Sequence, residues 1–360
     1  MFNRKKPFNE LPLLPPKVDL ETKEILKAAI EANKALAELK GIANTIPNQS
    51  VLISTLPLQE ARSSSEIENI VTTNDKLYEA MASSANNYDP HTREVLRYRE
   101  ALWEGYKVLE QREMLTTNLF IKIYQKIKET DAGIRVTPGT KISNSKGEVI
   151  YTPPEGEEII RNKLRNLEDF IHAEEELDDL IKLALIHYQF EAVHPFTDGN
   201  GRTGRIINVL FLILKRHLDL PILYLSKYII ENKNEYYTRL RNVTESNKWE
   251  QWILYMLKAV KETSKYTAEK IIQIKGLLNN TIEEAKKRLP SRVYSKELIE
   301  LIFEQPYCKT EFVVNAGIAK RQTAAEYLKE LEKTGFLKSK KVGKEVLYLN
   351  WKLFDLIKID

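Results

Sequence analysis

The stretch HPFTDGNGRTGR, His194 to Arg205, decides how this 360-residue chain is built at its centre. His194 precedes Pro195, and proline disfavours helical geometry in the residue before it, so a loop is expected to begin there. On one side LDDLIKLALIHYQFEAV repeats apolar residues at helical spacing, and on the other RIINVLFLILKRHL is almost wholly apolar until Lys215. The expected unit is a helix, a short loop and a buried helix. Gly199, Asn200 and Gly201 tolerate positive φ, so successive backbone N–H groups can converge on an anion while the dipole of the following helix adds partial positive charge. Arg202 and Arg205, three residues apart, project from one side of the first helical turn. Asp198 beside them is a carboxylate of the kind that shares Mg2+ with phosphate oxygens. A His-Pro step or a Gly-Asn-Gly turn alone is ordinary loop chemistry. Together with the acid and the arginines they describe a polyphosphate site.

These twelve residues resemble, at every fixed position, the signature HPFx(D/E)GNGRxxR of the Fic family of nucleotidyltransferases. The resemblance implies that His194 is the general base for a target hydroxyl and that Asp198 holds Mg2+. It puts Gly199, Asn200 and Gly201 on the phosphates, with Arg202 and Arg205 on the β and γ groups. The implied reaction moves AMP from ATP to a Ser, Thr or Tyr hydroxyl of a target protein, and to the chain itself, releasing pyrophosphate. Such a transfer is catalysed mostly by positioning and charge stabilisation. Phosphorylation and phosphocholine transfer occur among Fic relatives, but Gly199 and Gly201 around Asn200 favour the ordinary ATP orientation.

Upstream, LPLQEARSSSEIENIVTTND (residues 56–75) carries Pro57, which suits the first position of a helix, followed by Ser64 and Glu68 on one face. In isolation this is a solvated helix face. Beside the signature, Ser64, Glu68 and Asn69 match the (S/T)xxxE(G/N) pattern of the inhibitory helix that accompanies Fic domains, which implies a pairing of Glu68 with Arg205. Residues 133–159 are rich in glycine, proline and short β-prone pieces, and Asn144-Ser145-Lys146-Gly147 suits a hairpin turn between KIS and EVIY. The hairpin resembles the Fic flap, which holds the target by strand addition. Ile142, Val149, Ile150 and Tyr151 are assigned to it. Tyr236 and Tyr237 either offer an aromatic face to adenine or are ordinary tyrosines.

The expected fold is mainly α: an N-terminal helical region (1–90), a Fic-type core (91–289) and a C-terminal winged helix-turn-helix (290–360). A proline-rich arm leads into a packing helix from Glu21 to Lys40, with Ile25, Ala29, Ala32 and Leu36 on one stripe and Gly41 as its C-cap. Two helices fill residues 91–130, and a long one spans 250–289. In the last unit YSKELIELIFEQ, KTEFVVNAG (Thr310 as N-cap) and KRQTAAEYLKELEKTG read as helices, with two strands around Gly343.

Charge is balanced overall, 55 basic against 51 acidic residues, so no global steering to nucleic acid or membrane follows. Residues 286–350 hold 14 basic and 8 acidic residues, a local surplus that permits DNA contact. Winged helices also serve in protein docking and dimerisation, and a homodimer is expected. The single cysteine, Cys308, excludes an internal disulfide framework. No apolar run is long enough to span a bilayer, so a cytoplasmic protein without membrane attachment is expected. Two readings compete: an autoinhibited adenylyltransferase, and a DNA-binding regulator whose Fic domain senses nucleotide. Intact His194, Asp198, Asn200, Arg202 and Arg205 favour the first.

Overall fold

The computed structural model describes residues 2–358 apart from 47, 84–87, 145 and 175. In chain order its first helices are α1 (Lys23–Ala43), α2 (Ser50–Ile67), α3 (Asn74–Ala82), α4 (Pro90–Arg112) and α5 (Thr117–Lys128). A hairpin of β1 (Ile142–Ser143) and β2 (Val149–Tyr151) follows, then α6 (Glu157–His172), α7 (Asp179–Val193), α8 (Asn200–Leu214), α9 (Leu225–Glu231), α10 (Lys233–Ser246) and α11 (Trp249–Arg288). The C-terminal unit is α12 (Lys296–Glu304), β3 (Tyr307–Cys308), α13 (Thr310–Asn315), α14 (Arg321–Lys333), β4 (Lys338–Val342), β5 (Glu345–Leu349) and α15 (Trp351–Ile357). The architecture is mainly helical, as the sequence implies.

The centre is the pair α7 and α8. Every residue of α7 except Asp179 and Glu191 is buried, and α8 is buried from Arg202 through Leu212. Helices apolar on all sides need neighbours all round. Here α4, α5, α6, α1 and α11 supply them, with α1 and α11 lying along one another. Starts are fixed by side chains: Asp89 accepts from Thr92 N at 3.0 Å ahead of Pro90, and Asp178 accepts from Leu180 N at 2.8 Å. The arm before α1 lies against α6 and α7, where Lys163 donates to Leu11 O and Gln189 to Pro12 O.

Three sequence expectations about helix ends are corrected. Gly41 lies inside α1, which continues to Ala43. Pro57 is interior to α2, not at its start, because the helix begins a full two turns earlier at Ser50. Proline removes one helical hydrogen bond there. Burial of Val51, Leu52 and Leu56 offsets that loss, so tertiary packing overrides the local signal. Helix α6, β3 and α15 lay outside the sequence reading. In the flap Ile142 pairs with Tyr151, and Asn144 N donates to Glu148 O at 3.0 Å; Ser145 lies outside the described residues. Thr310 opens α13 itself, with Lys309 as the cap.

In the C-terminal unit the antiparallel sheet has the order β3-β5-β4. The unit packs on α11 through α12 and α15, and β3 meets α3, the helix that follows Glu68 in the chain. Tyr307 donates to Asp75 Oδ1 at 2.6 Å, Lys340 bridges Asp75 and Glu79, Asn48 donates to Glu304, and Phe354 meets Tyr78 edge-on. Among the described residues no helix is long and apolar enough to cross a membrane.

Trp252 ties α11 to the central pair: its ring is fully buried, its Nε1–H donates to Ala184 O at 2.8 Å, and it stacks on His187. Trp252→Ala should destabilise the protein by about 3–5 kcal/mol in urea unfolding. A loss below about 1 kcal/mol would mean that this contact is dispensable.

Candidate active site

The loop 194–199 is built by its own side chains. His194 caps α7 with φ 49, so the residue before proline leaves the α region for the left-handed one and not for the extended geometry usual there. Gly199 at φ 74 caps α8. Asn200 closes the loop from within: its Oδ1 accepts from Phe196 N at 2.9 Å and its Nδ2 donates to Phe196 O at 2.8 Å. The Asn200 side chain is therefore spent on the loop backbone, leaving the turn's N–H groups as its contribution to an anion site. Phe196 is stacked flat on Tyr124, 4.1 Å between centroids, which anchors the loop to α5.

Arg205 projects from α8 into α2. Its Nε donates to Ser64 Oγ at 2.7 Å, and its Nη2 donates to Ser64 O and to Glu68 Oε1, both at 2.8 Å. The guanidinium side chain is 1% exposed. Glu68 is the C-cap of α2, and Asn69 follows at φ 63. Left-handed geometry explains why Gly or Asn suits this position. The carboxylate also lies close over Gly201: a Cβ built there would stand 2.3 Å from Glu68 Oε1.

Arg202, also 1% exposed, donates from Nη1 to Glu94 Oε1 of α4. Lys128, at the end of α5, reaches Glu94 Oε1 at 3.0 Å and Asp198 Oδ2 at 2.7 Å. Asp198 Oδ1 accepts from Gly199 N at 2.6 Å. Burial works to raise the Asp198 pKa, but the Lys128 ammonium outweighs it and holds the carboxylate below its ordinary value. Among the described residues no group of three or more His, Cys, Asp or Glu side chains gathers to hold a metal. A lone carboxylate that already attracts a cation fits Mg2+ shared with phosphate oxygens, and not a metal caged by protein alone.

Burial, and then the nearby Arg135 charge, push the His194 pKa down to about 4. The imidazole is thus neutral near pH 7 and able to accept a proton. Arg135 is itself buried and holds the loop: its Nε donates to His194 O at 2.8 Å, its Nη2 reaches Val193 O and Pro154 O, and its backbone N donates to Pro195 O. A cavity of about 120 Å³ is lined by Ile142, Ile150 and Tyr151 of the flap, by Glu191 and Ala192 at the end of α7, and by Tyr237. Tyr151 fixes the flap by donating to Ala192 O at 2.7 Å. Val149 lies in β2, on the outer side near Arg4 and Lys5. The two tyrosines separate. Tyr237 is partly exposed at the cavity, whereas Tyr236 is 1% exposed and hydrogen-bonded to His187 at 2.8 Å, so it has no face to offer adenine. Glu191 Oε1 is buried without a partner. Burial, opposed by Arg205 and helped by Glu68, raises its pKa to about 7.

Glu94, Lys128, Arg135 and Glu191 lie outside the motifs. Each is a single charged residue whose partners are distant in sequence, and no local spacing marks it.

Three family models match the chain: Fic/DOC family N-terminal over residues 26–107, Fic/DOC family over 114–212, and protein adenylyltransferase SoFic-like, C-terminal domain, over 277–353. A relative named probable protein adenylyltransferase, from Aquifex aeolicus, is 27% identical over 180 residues, 48% of this chain and 53% of its own. Protein adenylyltransferase fic-1 of Caenorhabditis elegans is 36% identical over 89 residues, 24% of this chain and 16% of its own. The chain thus spans about half the length of the first relative and far less of the second. A Fic family protein from Desulfovibrio desulfuricans superposes with a TM-score of 0.60 over 93% of this chain and 98% of that one, at 18% identity. Residues 134–508 of C. elegans Fic-1 give 0.53 over 71% and 75%, also at 18%. At that identity the structures speak to the fold alone. The two Fic/DOC models together match half of the chain, and the chain belongs to the Fic/DOC family.

Proposed function

We propose that this chain is a protein adenylyltransferase held in a self-inhibited state, moving AMP from ATP to a Ser, Thr or Tyr hydroxyl of a target protein and to itself. The names of its relatives support AMP transfer. The observation that carries the inhibited state is Arg205: its buried guanidinium is bound by Ser64 and Glu68 at 2.7–2.8 Å.

In the productive state neutral His194 takes the proton of the target hydroxyl. The hydroxyl oxygen then forms its bond to the α phosphorus as the bond to the bridging oxygen breaks, and pyrophosphate leaves with that electron pair. Arg202, Arg205 and the amides of the Gly199–Gly201 turn hold the phosphates against the N-terminus of α8. Mg2+ at Asp198 would neutralise phosphate charge. The flap's free edge would take the target segment as an added strand, with Tyr237 and Glu191 beside it. Lys340 meets Asp75 and Glu79 within the chain, so this wing lysine serves an internal contact and not a duplex. Buried Cys308 fits a reducing compartment such as the cytoplasm.

Charge-assisted bonds of this kind contribute about 1.5–3 kcal/mol. At about 1.4 kcal/mol per tenfold, Glu68→Gly should raise AMP transfer on the order of 10- to 100-fold. The test compares label from α- and γ-labelled ATP on protein for the wild type, Glu68→Gly and Glu68→Gly/His194→Ala. Label from the α position alone, raised by the first change and abolished by the second, is expected. Label from the γ position would replace AMP transfer with phosphorylation, and an unchanged rate in folded Glu68→Gly would end the inhibitory assignment.

Gly201→Ala gives a steric version of the same release. Its methyl group would displace the Glu68 carboxylate, so protease cleavage near residues 68–73 should increase as it does in Glu68→Gly. Wild-type protection in the Ala variant would mean that Glu68 shifts without freeing α2.

Because His194 stays neutral to about pH 4, the histidine NMR signal lost in His194→Ala should not titrate between pH 8 and 5. The unfolded ring binds a proton near pH 6.5, so His194 and His187, whose pKa burial lowers to about 3, both reduce stability as pH falls below that value. A midpoint near 6.5 for His194 in the folded protein would contradict this environment.

A further inference from the structure

Arg202 and Arg205 are both 1% exposed, so a triphosphate reaches neither guanidinium while its present cover stands. Glu68 covers Arg205. The cover of Arg202 is different and comes from outside the signature: Glu94 of α4 binds its Nη1, and Lys128 of α5 lies across the turn. The Lys128 stem passes close over Gly199, with Cγ and Cδ each 3.4 Å from where a Cβ on that residue would stand. Its ammonium joins Glu94 Oε1 at 3.0 Å to Asp198 Oδ2 at 2.7 Å. Arg202 Nη2 lies 3.8 Å from Asp198 Oδ1, and Arg202 Nε is buried without a partner.

Two cations and two carboxylates therefore alternate around the turn, and they balance in charge. An arriving triphosphate with its metal disturbs that balance at one point, Asp198. Once Asp198 binds a metal ion, an ammonium on the same carboxylate is repelled. Lys128 is a quarter exposed and sits at the end of its helix, so its head can turn while its stem stays over Gly199. The nearest anion is then the polyphosphate lying on the Gly199–Arg202 turn. Glu94 has a second bond to keep, the one to Arg202.

We propose that Lys128 is a further polyphosphate-binding residue of this site, exchanging Asp198 for the terminal phosphates when ATP and metal enter, while Glu94 remains as the positioning residue of Arg202. This inference rests on the nucleotide reading above. It separates Lys128 from a structural bridge, which would hold the turn together and touch no ligand.

The test measures nucleotide affinity in the Glu68→Gly protein by calorimetry, with AMP measured by competition, each without metal and with Mg2+. A charge-assisted contact to the terminal phosphates predicts that, with Mg2+ present, Lys128→Met weakens ATP about tenfold or more and leaves AMP within about twofold, with a smaller loss of ATP when metal is absent and Lys128 stays on Asp198. Lys128→Arg, which keeps the charge, should recover most of the ATP affinity. Equal loss of ATP and AMP, or no loss of either, overturns the proposal, because a structural bridge affects both nucleotides alike or neither. Should Glu68→Gly with intact Lys128 bind no ATP, the nucleotide reading itself fails and the proposal falls with it. Intact ATP binding that ignores Lys128→Met sinks the proposal alone.

Discussion

A buried guanidinium needs acceptors, and Arg205 finds three of them on α2: Ser64 Oγ, Ser64 O and Glu68 Oε1. Leaving such a charge unpaired costs several kcal/mol, so α2 cannot simply withdraw from it. Under the proposed function the γ phosphate is the replacement, and inhibition becomes an exchange of one anion for another. The two anions compete for one cation. Anchors further back on α2 confine that exchange to its last turn. Glu60 is buried and accepts from Ser226 N at 2.9 Å and from Tyr98 OH at 3.2 Å, while Ser63 meets Tyr224. With those contacts kept, only Ser64 to Asn69 has to rearrange, and left-handed Asn69 already ends the helix there.

The same segment is held from the other side. The C-terminal unit touches α2 near its start, through Asn48 and Glu304, and α3 just after the Glu68 turn, through Tyr307, Lys340 and Phe354. The Lys340 bridges are half-exposed, and pairs of that kind contribute at most about 1 kcal/mol each. Apolar contact supplies more: Tyr78 is fully buried against Phe354. The bridges set where α3 sits, and the packing keeps it there.

What the sequence made legible was whatever is local. The period of α7 and α8, the turn at Gly199, and the spacing of Ser64 and Glu68 are short-range patterns and appear in the structure where they imply, whereas Asn200 and Gly201, expected in the same turn, already belong to α8. Pro57 was misread because its local meaning, a helix start, is overruled by burial of Val51, Leu52 and Leu56. Tyr236 and Tyr237 look equivalent as neighbours, but a helix turns adjacent residues about 100° apart, so one faces His187 and the other the cavity. Glu94 and Lys128 were invisible for a related reason. Nothing in EVLRY or KIKET marks a residue whose partner lies 108 or 70 positions away.

Arg135 shows how the placement of His194 depends on such a residue. It spans three carbonyls, of Val193, His194 and Pro154, which a single ammonium could not do with the same planar fork. Pro154 follows the flap strand β2, so one side chain joins the flap to the loop of His194. Among the described residues Arg135 makes no ion pair, and Glu155 acts on its charge only at longer range. Its charge therefore acts on the nearest titratable ring and, after burial itself, is what keeps His194 unprotonated. The loop of His194 and the flap thus share a contact with Arg135, and the neutral imidazole, owed first to burial, is helped by the same charge. The guanidinium that fixes the position of His194 also adds to the effect of burial on its protonation, so moving Arg135 disturbs both at once.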